Sequence, residues 1–453
     1  MEWKNQKVLV FGSGKSGIGA CELLLKKGAL PVIYDGNDQL SEQEILNKLD
    51  EPEHVKVVLG EFPEELLSEL SLVIMSPGVP CDLPVVKKFR EAGLPIWGEI
   101  ELAYRMGQGK VLAVTGTNGK TTTTSLLGQI MKDYCPEVYV VGNIGNPYTD
   151  AVCSQTKNAV TVAEISSFQL ETIEEFHPQA SAITNITEDH LNRHHTMEEY
   201  IRVKELITKN QTEQDVCVLN YEDEILREFG RNIRPQVVYF SSRRVLEQGI
   251  YLEGDVIKIS DGCEITTVVH TGDLKLLGLH NFENVMAAVA MASHAGVPME
   301  SIRKTICSFA GVEHRIEYVT EINGVKYYND SKGTNPDAAI KGIQAMNRPT
   351  VLIGGGFDKE SSYEEWINSF DGKVKDLVLI GQTREKIAEA AVSCGFPEDH
   401  IHFCENLKEA VHTCAEKAVS GDAVLLSPAC ASWGQFDNYE QRGDLFKEYV
   451  RSL

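Results

Sequence analysis

Apolar residues fall along this chain in two rhythms. Unbroken runs such as "KVLVF" at 7–11, "SLVIM" at 71–75 and "KVLAV" at 110–114 have the length and branched content of strands buried on both faces. Stretches with apolar positions three and four apart follow them. Leu126, Leu127, Ile130 and Met131 mark one face of a helix from Thr121 to about Lys132. The first unit runs from a strand at Lys7 to Phe11, through Gly12-Ser13-Gly14-Lys15-Ser16-Gly17, into an apolar helix and a second strand ending at Asp35. The rhythm restarts near Gly93-Leu94-Pro95 and again near Gly311, where "PTVLIGGG", "DLVLIG" and "DAVLLSPA" read as buried strands. Between Gly249 and Gly278 the alternation is of period two and turns at Gly254-Asp255 and Asp261-Gly262, which predicts a small antiparallel sheet. The expected fold is α/β with three domains. They are a Rossmann-like domain over 1–98, a central P-loop-type ATPase domain over 99–310 with a mostly parallel sheet plus the small antiparallel sheet, and a Rossmann-like domain over 311–453.

Composition narrows the function. The chain has 453 residues, 42% hydrophobic and 24% charged, the mix of a soluble globular protein with several cores. Against 66 acidic residues stand 43 basic ones, a formal charge of −23. That field repels nucleic-acid backbones and excludes DNA or RNA as a partner, while a local site can still hold a small phosphorylated ligand. Eleven cysteines without a C-x-x-C spacing point to free thiols in a reducing compartment rather than a disulfide frame or a zinc site. "MEWKNQKVLVFG" enters a strand directly, leaving no room for a secretory signal, and no apolar run reaches the ~18 residues of a membrane span. A cytoplasmic monomer without membrane insertion is expected.

Two glycine loops follow strands. Gly12 to Gly17 reads G-x-G-x-x-G, with Asp35 about 20 residues on, the setting of a dinucleotide fingerprint. A phosphate-bearing ligand on the helix N-terminus fits it, and so does a plain strand-to-helix turn. The second loop, "VTGTNGKTTTT" at 114–124, ends in Gly119-Lys120-Thr121 as phosphate loops do. Val114 stands where the common pattern has its first glycine, and Gly116 comes two residues late. A cradle of backbone N–H groups, a helix dipole, a lysine charge and a hydroxyl for Mg²⁺ do not need glycine at 114. We read the loop as a phosphate site.

The ordered set "GTNGKTTTT", "AEISSFQLE", "ITEDHLNRH", "HNFENVMAA", "EHRIEYV" and "NDSKGTNPDA" resembles the Mur ligase family over essentially the whole chain. "SPACASWGQFDNYEQRGDLF" resembles the branch that adds D-glutamate. The resemblance implies a ligase that phosphorylates a carboxylate with ATP and joins it to an amine through an acyl phosphate, in peptidoglycan precursor synthesis. The substrates it implies are ATP, UDP-N-acetylmuramoyl-L-alanine and D-glutamate, with two Mg²⁺ ions. It places ATP on Gly116, Thr117, Asn118, Gly119, Lys120, Thr121 and Thr122, on Asn281 and Asn284, and on His314, Arg315, Asp330 and Lys332 once the third domain closes. The uridine diphosphate part falls to Gly14, Lys15, Ser16, Asp35, Ser76, Pro77 and Gly78, with Asn143 and His190 towards the muramoyl group. D-Glutamate falls to Thr334, Lys359, Ser432, Trp433 and Tyr439, of which Trp433 and Tyr439 stand where other members carry leucine and phenylalanine.

The resemblance implies metal contacts at Thr121, Glu164, His190 and a carbamylated Lys204, and catalytic roles for Lys120, Glu164, His190 and Lys204. By itself a strand-end Glu164 reads as solvated, and His190 and His194 as loop polarity, since H-E-x-x-H is absent. Lys204 falls inside the apolar stripe Met197, Tyr200, Ile201 and Ile207 on "TMEEYIRVKELITKN". There it either snorkels to water or is buried, which favours a neutral amine able to combine with CO₂. Other acid–amino-acid ligases, a nicotinamide oxidoreductase and a non-catalytic nucleotide module are the rival readings. "TNPDAA", in place of the D-N-P-R carried by the lysine- and diaminopimelate-adding relatives, speaks against the first. The loop at 114–124, which an oxidoreductase leaves unexplained, speaks against the second.

Overall fold

The computed structural model describes residues 3–453. One compact unit runs through Val268 and takes in Glu283–Thr305; a second comprises Val269–Phe282 and Ile306–Leu453.

The first unit holds two sheets. Five parallel strands stand in the order Lys56–Leu59, Leu30–Asp35, Lys7–Phe11, Leu72–Met75, Ile96–Gly98. Val8 and Val10 pack with Ala20, Leu23 and Leu24 of the helix Lys15–Lys26, while Leu9 and Phe11 face Val32, Phe62 and Phe89. Burial of both faces explains the unbroken apolar run. The edge strands Lys56–Leu59 and Ile96–Gly98 were not among the expected elements, because four and three residues are too few to show a period.

The second sheet has nine strands, ordered Ile265–His270, Val256–Asp261, Gln248–Glu253, Gln236–Ser241, Val216–Asn220, Ala180–Ile183, Lys110–Thr115, Val160–Glu164, Val138–Gly142. The antiparallel strands expected after Gly249 are present, with Gln248–Glu253 against Val256–Asp261. They extend the large sheet, because Phe240 and Ser241 pair in parallel with Ile250 and Tyr251. So short a bridge leaves no trace in the hydrophobic pattern. The neighbouring strands Ala180–Ile183, Lys110–Thr115 and Val160–Glu164 lie inside this sheet, and their carboxyl ends carry the loops of interest, where open α/β sheets bind ligands.

The second unit carries six strands, ordered Glu317–Ile322, Val325–Asn329, Ala423–Leu426, Thr350–Gly354, Val374–Leu379, Ile401–Phe403. The first two form an antiparallel hairpin and the others run parallel, with a core on each face. The α/β, three-domain expectation holds. Among the described residues, no helix is long and apolar enough to cross a membrane.

Candidate active site

The strand Lys110–Thr115 opens into Gly116–Gly119, and the helix Lys120–Tyr134 begins at once. Gly116 has φ +138°, and a Cβ there would sit 1.9 Å from Thr184 Oγ1; Gly119 has φ +85°, with a Cβ 2.2 Å from Asn284 Oδ1. Only glycine fits these two positions. Val114 is still inside the sheet, paired with Glu164 and Ala182, so the residue that departs from the common motif is a strand residue. Lys120 Nζ donates to the carbonyls of Gly116 and Thr117, at 2.9 and 2.8 Å. Thr121 and Thr122 lie in the helix's first turn, Thr122 buried.

The loop is braced from the end of the neighbouring strand. The Thr117 and Asn118 N–H groups donate to the carbonyl and side-chain oxygens of Asn185, at 2.8 and 2.9 Å. Thr184 Oγ1 donates to the Asn118 carbonyl at 2.6 Å. The Thr187 N–H donates to Thr117 Oγ1, which also lies 3.0 Å from the Tyr200 hydroxyl. Thr184 and Asn185 lie outside the quoted motifs; Thr187 falls inside "ITEDHLNRH" and Tyr200 inside the apolar stripe around Lys204, neither with an assigned role. The available signal was the polar run that follows the buried strand Ala180–Ile183.

Lys204 is 1% exposed, and its Nζ donates to the Gly116 carbonyl at 2.8 Å. It lies 4.8 Å over the Tyr200 ring. Tyr200, Val203 and Ile207 share its buried face, whereas Met197 and Ile201 are half-buried. Burial first, and the Lys120 charge second, pull its pKa down to about 7 against the attraction of Asp189 and Glu164. Glu164 ends its strand 1% exposed. Its Oε1 accepts from Asn143 Nδ2 at 2.8 Å, while Oε2 is buried and meets no donor. An orphaned carboxylate oxygen is costly in a dry site, and a hard cation is the partner that suits it. The residues here therefore fit Mg²⁺.

His190 has φ +54° and caps the short helix Leu191–His194. Its ring is about half exposed, lies tilted 4.9 Å from the Phe168 ring and 3.4 Å from Asp189. His194 is buried, with Nε2 2.9 Å from Ser167 Oγ and Nδ1 3.4 Å from Glu171; burial pushes its pKa down. The two histidines thus divide, one open and one packed. Asn281 and Asn284 lie one turn apart on the helix Leu279–His294. Asn284 accepts from Thr123 Oγ1 at 3.3 Å, and Asn281 donates to the Leu277 carbonyl at 2.8 Å.

In the first domain, the Ser13 N–H and Oγ donate to Asp35 Oδ2 at 3.0 and 2.7 Å, so the acid closes its own glycine loop. Ser76 Oγ donates to the Gly12 carbonyl at 3.3 Å. Gly14 caps the helix that Lys15 and Ser16 begin, and Lys15 Nζ reaches the Gly145 carbonyl of the middle domain at 2.7 Å. Gly14, Lys15 and Gly78 are exposed, with Ser16 and Pro77 intermediate.

The third domain groups its residues in two places. His314, buried at φ +63°, lies 3.1 Å from Asn329 Nδ2 and edge-on to Tyr439, over whose ring Lys332 sits at 5.4 Å. Asp330 is turned inward and accepts from Ser427 Oγ at 2.7 Å and the Ile316 N–H at 3.3 Å. Burial pushes its pKa up to about 7, against the pull of Ser427 and the Arg315 charge. Thr334 is half-buried beside this group, its N–H on the Lys332 carbonyl at 2.9 Å. Elsewhere, Lys359 lies 4.9 Å over Trp433, which is exposed and meets Phe357 edge-on; Ser432 is buried. Sequence reasoning passed over Arg442. It is wholly buried and donates to Ser331 Oγ, the Ser331 carbonyl and the Cys430 carbonyl at 2.9, 2.8 and 3.2 Å.

A phosphate loop between strand and helix, backed by a buried lysine and an acid and followed by a separate α/β domain, marks a P-loop-type nucleotide-binding enzyme with an appended domain. Residues 6–98 match the MurD-like N-terminal domain of Mur ligases, 114–292 the Mur ligase middle domain, and 314–430 the Mur ligase glutamate ligase domain. The chain belongs to the Mur ligase family. It is 54% identical over 453 residues to the UDP-N-acetylmuramoylalanine–D-glutamate ligase of Lachnospira eligens, covering all of both chains. To the protein of that name from Lachnoclostridium phytofermentans it is 55% identical, covering 100% of this chain and 99% of the other. Its fold resembles that of MurF from Acinetobacter baumannii, with TM-score 0.60 at 18% identity over 98% and 93% of the two chains.

Proposed function

We propose that this chain adds D-glutamate to UDP-N-acetylmuramoyl-L-alanine at the expense of ATP, releasing ADP and phosphate, as a cytoplasmic monomer in peptidoglycan precursor synthesis. The observation that carries the chemistry is the buried Lys204 amine, 2.8 Å from the Gly116 carbonyl of the phosphate loop. Kinship with full-length D-glutamate ligases supports the choice of substrates.

A carboxylate is a poor electrophile, so it is first phosphorylated. Its oxygen bonds to the γ-phosphorus of ATP while the bond from that phosphorus to ADP breaks. The ammonium of D-glutamate first loses one proton; the resulting amine attacks the acyl carbon, and the tetrahedral intermediate gives up a second proton from that nitrogen and expels phosphate. Several anions must meet for this, and preorganised positive groups lower the barrier. The N–H groups of Gly119 to Thr122, at the helix start, hold the phosphates and Lys120 adds its charge, while Gly116, Thr117 and Asn118, with the last two braced on Asn185, complete the loop read as the ATP contact. Asn143 orients Glu164, and His190 presents a half-exposed ring. The Lys204 amine attacks the carbon of CO₂, forming an N–C bond and losing one proton, which leaves an anionic carbamate. Thr121, Glu164, His190 and the carbamate would hold two Mg²⁺ ions, which would neutralise the gathered anions. We read Asn281, Asn284, His314, Arg315, Asp330 and Lys332 as nucleotide contacts, and Thr334, Lys359, Ser432, Trp433 and Tyr439 as the D-glutamate set. Gly14, Lys15, Ser16, Asp35, Ser76, Pro77 and Gly78 are read as the uridine diphosphate set.

The test is phosphate release with ATP and UDP-N-acetylmuramoyl-L-alanine, comparing D-glutamate with L-glutamate, L-lysine and diaminopimelate. Release that depends on D-glutamate alone is expected; release without amide formation overturns the reading. A carbamate resonance under ¹³CO₂, absent from Lys204→Ala, reports the modification independently of turnover, and elution mass reports the monomer.

A further inference from the structure

The loop Ser76–Val79, at the carboxyl end of the first domain's strand Leu72–Met75, is gripped by one side chain of the middle domain. Arg193 Nη2 donates to the Val79 carbonyl at 2.9 Å. The same guanidinium meets Glu171 through two parallel bonds, Nε to Oε1 at 3.2 Å and Nη2 to Oε2 at 2.6 Å, and lies 5.0 Å over Phe168. The pair is nearly withdrawn from solvent, at 11% and 13% side-chain exposure. A forked, desolvated pair of this kind fixes geometry as well as charge. Glu171 is held in turn by His194 Nδ1 at 3.4 Å, and His194 Nε2 lies 2.9 Å from Ser167 Oγ, three residues after Glu164.

Arg193 lies in the one-turn helix Leu191–His194, which His190 caps at its start. That turn therefore bears an open histidine at one end and an anchor on the first domain at the other. We infer that the Arg193–Glu171 pair is a latch that sets the first domain's Ser76–Val79 loop in register with the phosphate-loop site. Its work is to position the carboxylate of the uridine-linked substrate for attack, and Arg193 touches no reacting atom. The inference rests on the proposed function and assigns it a positioning residue. Misplacing a reactant by about 1 Å can cost about 100-fold, so a latch distant from the chemistry suffices to show.

The experiment measures separate KM values for ATP, the uridine-linked substrate and D-glutamate in wild type, Arg193→Lys, Arg193→Ala and Glu171→Gln, with calorimetric binding of the uridine-linked substrate alone. The latch predicts that KM for that substrate rises about tenfold or more in Arg193→Ala and Glu171→Gln, with ATP and D-glutamate KM values unchanged. Arg193→Lys should recover part of the loss, since one bond can re-form. Equal rises in all three KM values, or none, overturn it. Should Arg193→Ala fail to fold, Glu171→Gln, which keeps the shape, carries the same reading. Wild-type release without D-glutamate dependence would sink the proposed function instead, and the latch would then be judged by substrate binding alone.

Discussion

Two glycine loops share a backbone plan in this protein and differ in what surrounds it. Both follow a buried strand and open a helix of twelve or more residues. In the first domain the loop's own amide and hydroxyl are taken by Asp35, so an acid lies where a dinucleotide fingerprint invites a ribose. In the middle domain the loop is backed by Lys120 and Lys204, braced by Thr184 to Thr187, and faced by a carboxylate oxygen without a donor. The lesson is that glycine spacing specifies a turn, while the groups packed behind the turn specify its ligand.

Removing the backing should give the largest effects. Lys204→Ala and Lys120→Ala are each expected to lower kcat/KM by about 1,000-fold, the scale of losing a preorganised charge, and added short carboxylates should restore part of the rate only in the Lys204 variant. Full activity in Lys204→Ala would make the two loops equivalent and break the contrast. Acidity offers a gentler probe of the same lysine. With a pKa of about 7, the amine is neutral above that value and protonated below it, and only the neutral form takes up CO₂. The ¹³C carbamate signal should therefore fall as pH drops from 8 to 6, and a signal that rises on acidification excludes this origin.

Next come the glycines. Gly116→Ala adds a Cβ 1.9 Å from Thr184 Oγ1 at a left-handed φ, and should cost about 3 kcal/mol in urea unfolding. Gly14→Ala meets no atom within 4 Å and should cost less than about 1 kcal/mol. Equal costs would mean that both loops are equally confined. A change in binding sharpens the comparison further. Lys15→Ala loses one charge-assisted bond to Gly145, so KM for the uridine-linked substrate should rise about tenfold at unchanged KM for ATP. Absence of NADH binding to the wild type would confirm that the first loop's fingerprint is not a nicotinamide site.

Much of the fold was legible in advance because strands buried on both faces leave continuous apolar runs, as at 7–11, 110–114 and 350–354. The three- and four-residue edge strands were too short to show a period, and in the hairpin Glu317–Asn329 polar and aromatic residues interrupt any apolar run, although its second strand is mostly buried. Among site residues, Lys204 announced itself as a charge inside an apolar stripe. Arg193, Glu171 and Arg442 gave no such sign. A buried ion pair or arginine becomes visible only when its partners, 22 and 111 residues away, are brought beside it.

By itself, the amino-acid order determined local conformation: which segments extend or coil, where glycine must turn the chain, and that Gly-Lys-Thr opens a helix. Those outcomes depend on neighbours within a few residues. Only the tertiary structure decided that Lys204 is dry, that Glu164 keeps one oxygen unpaired, and that one Asp35 oxygen accepts from Ser13. Charge and desolvation energies depend on distance and burial, and residues far apart in the chain set both.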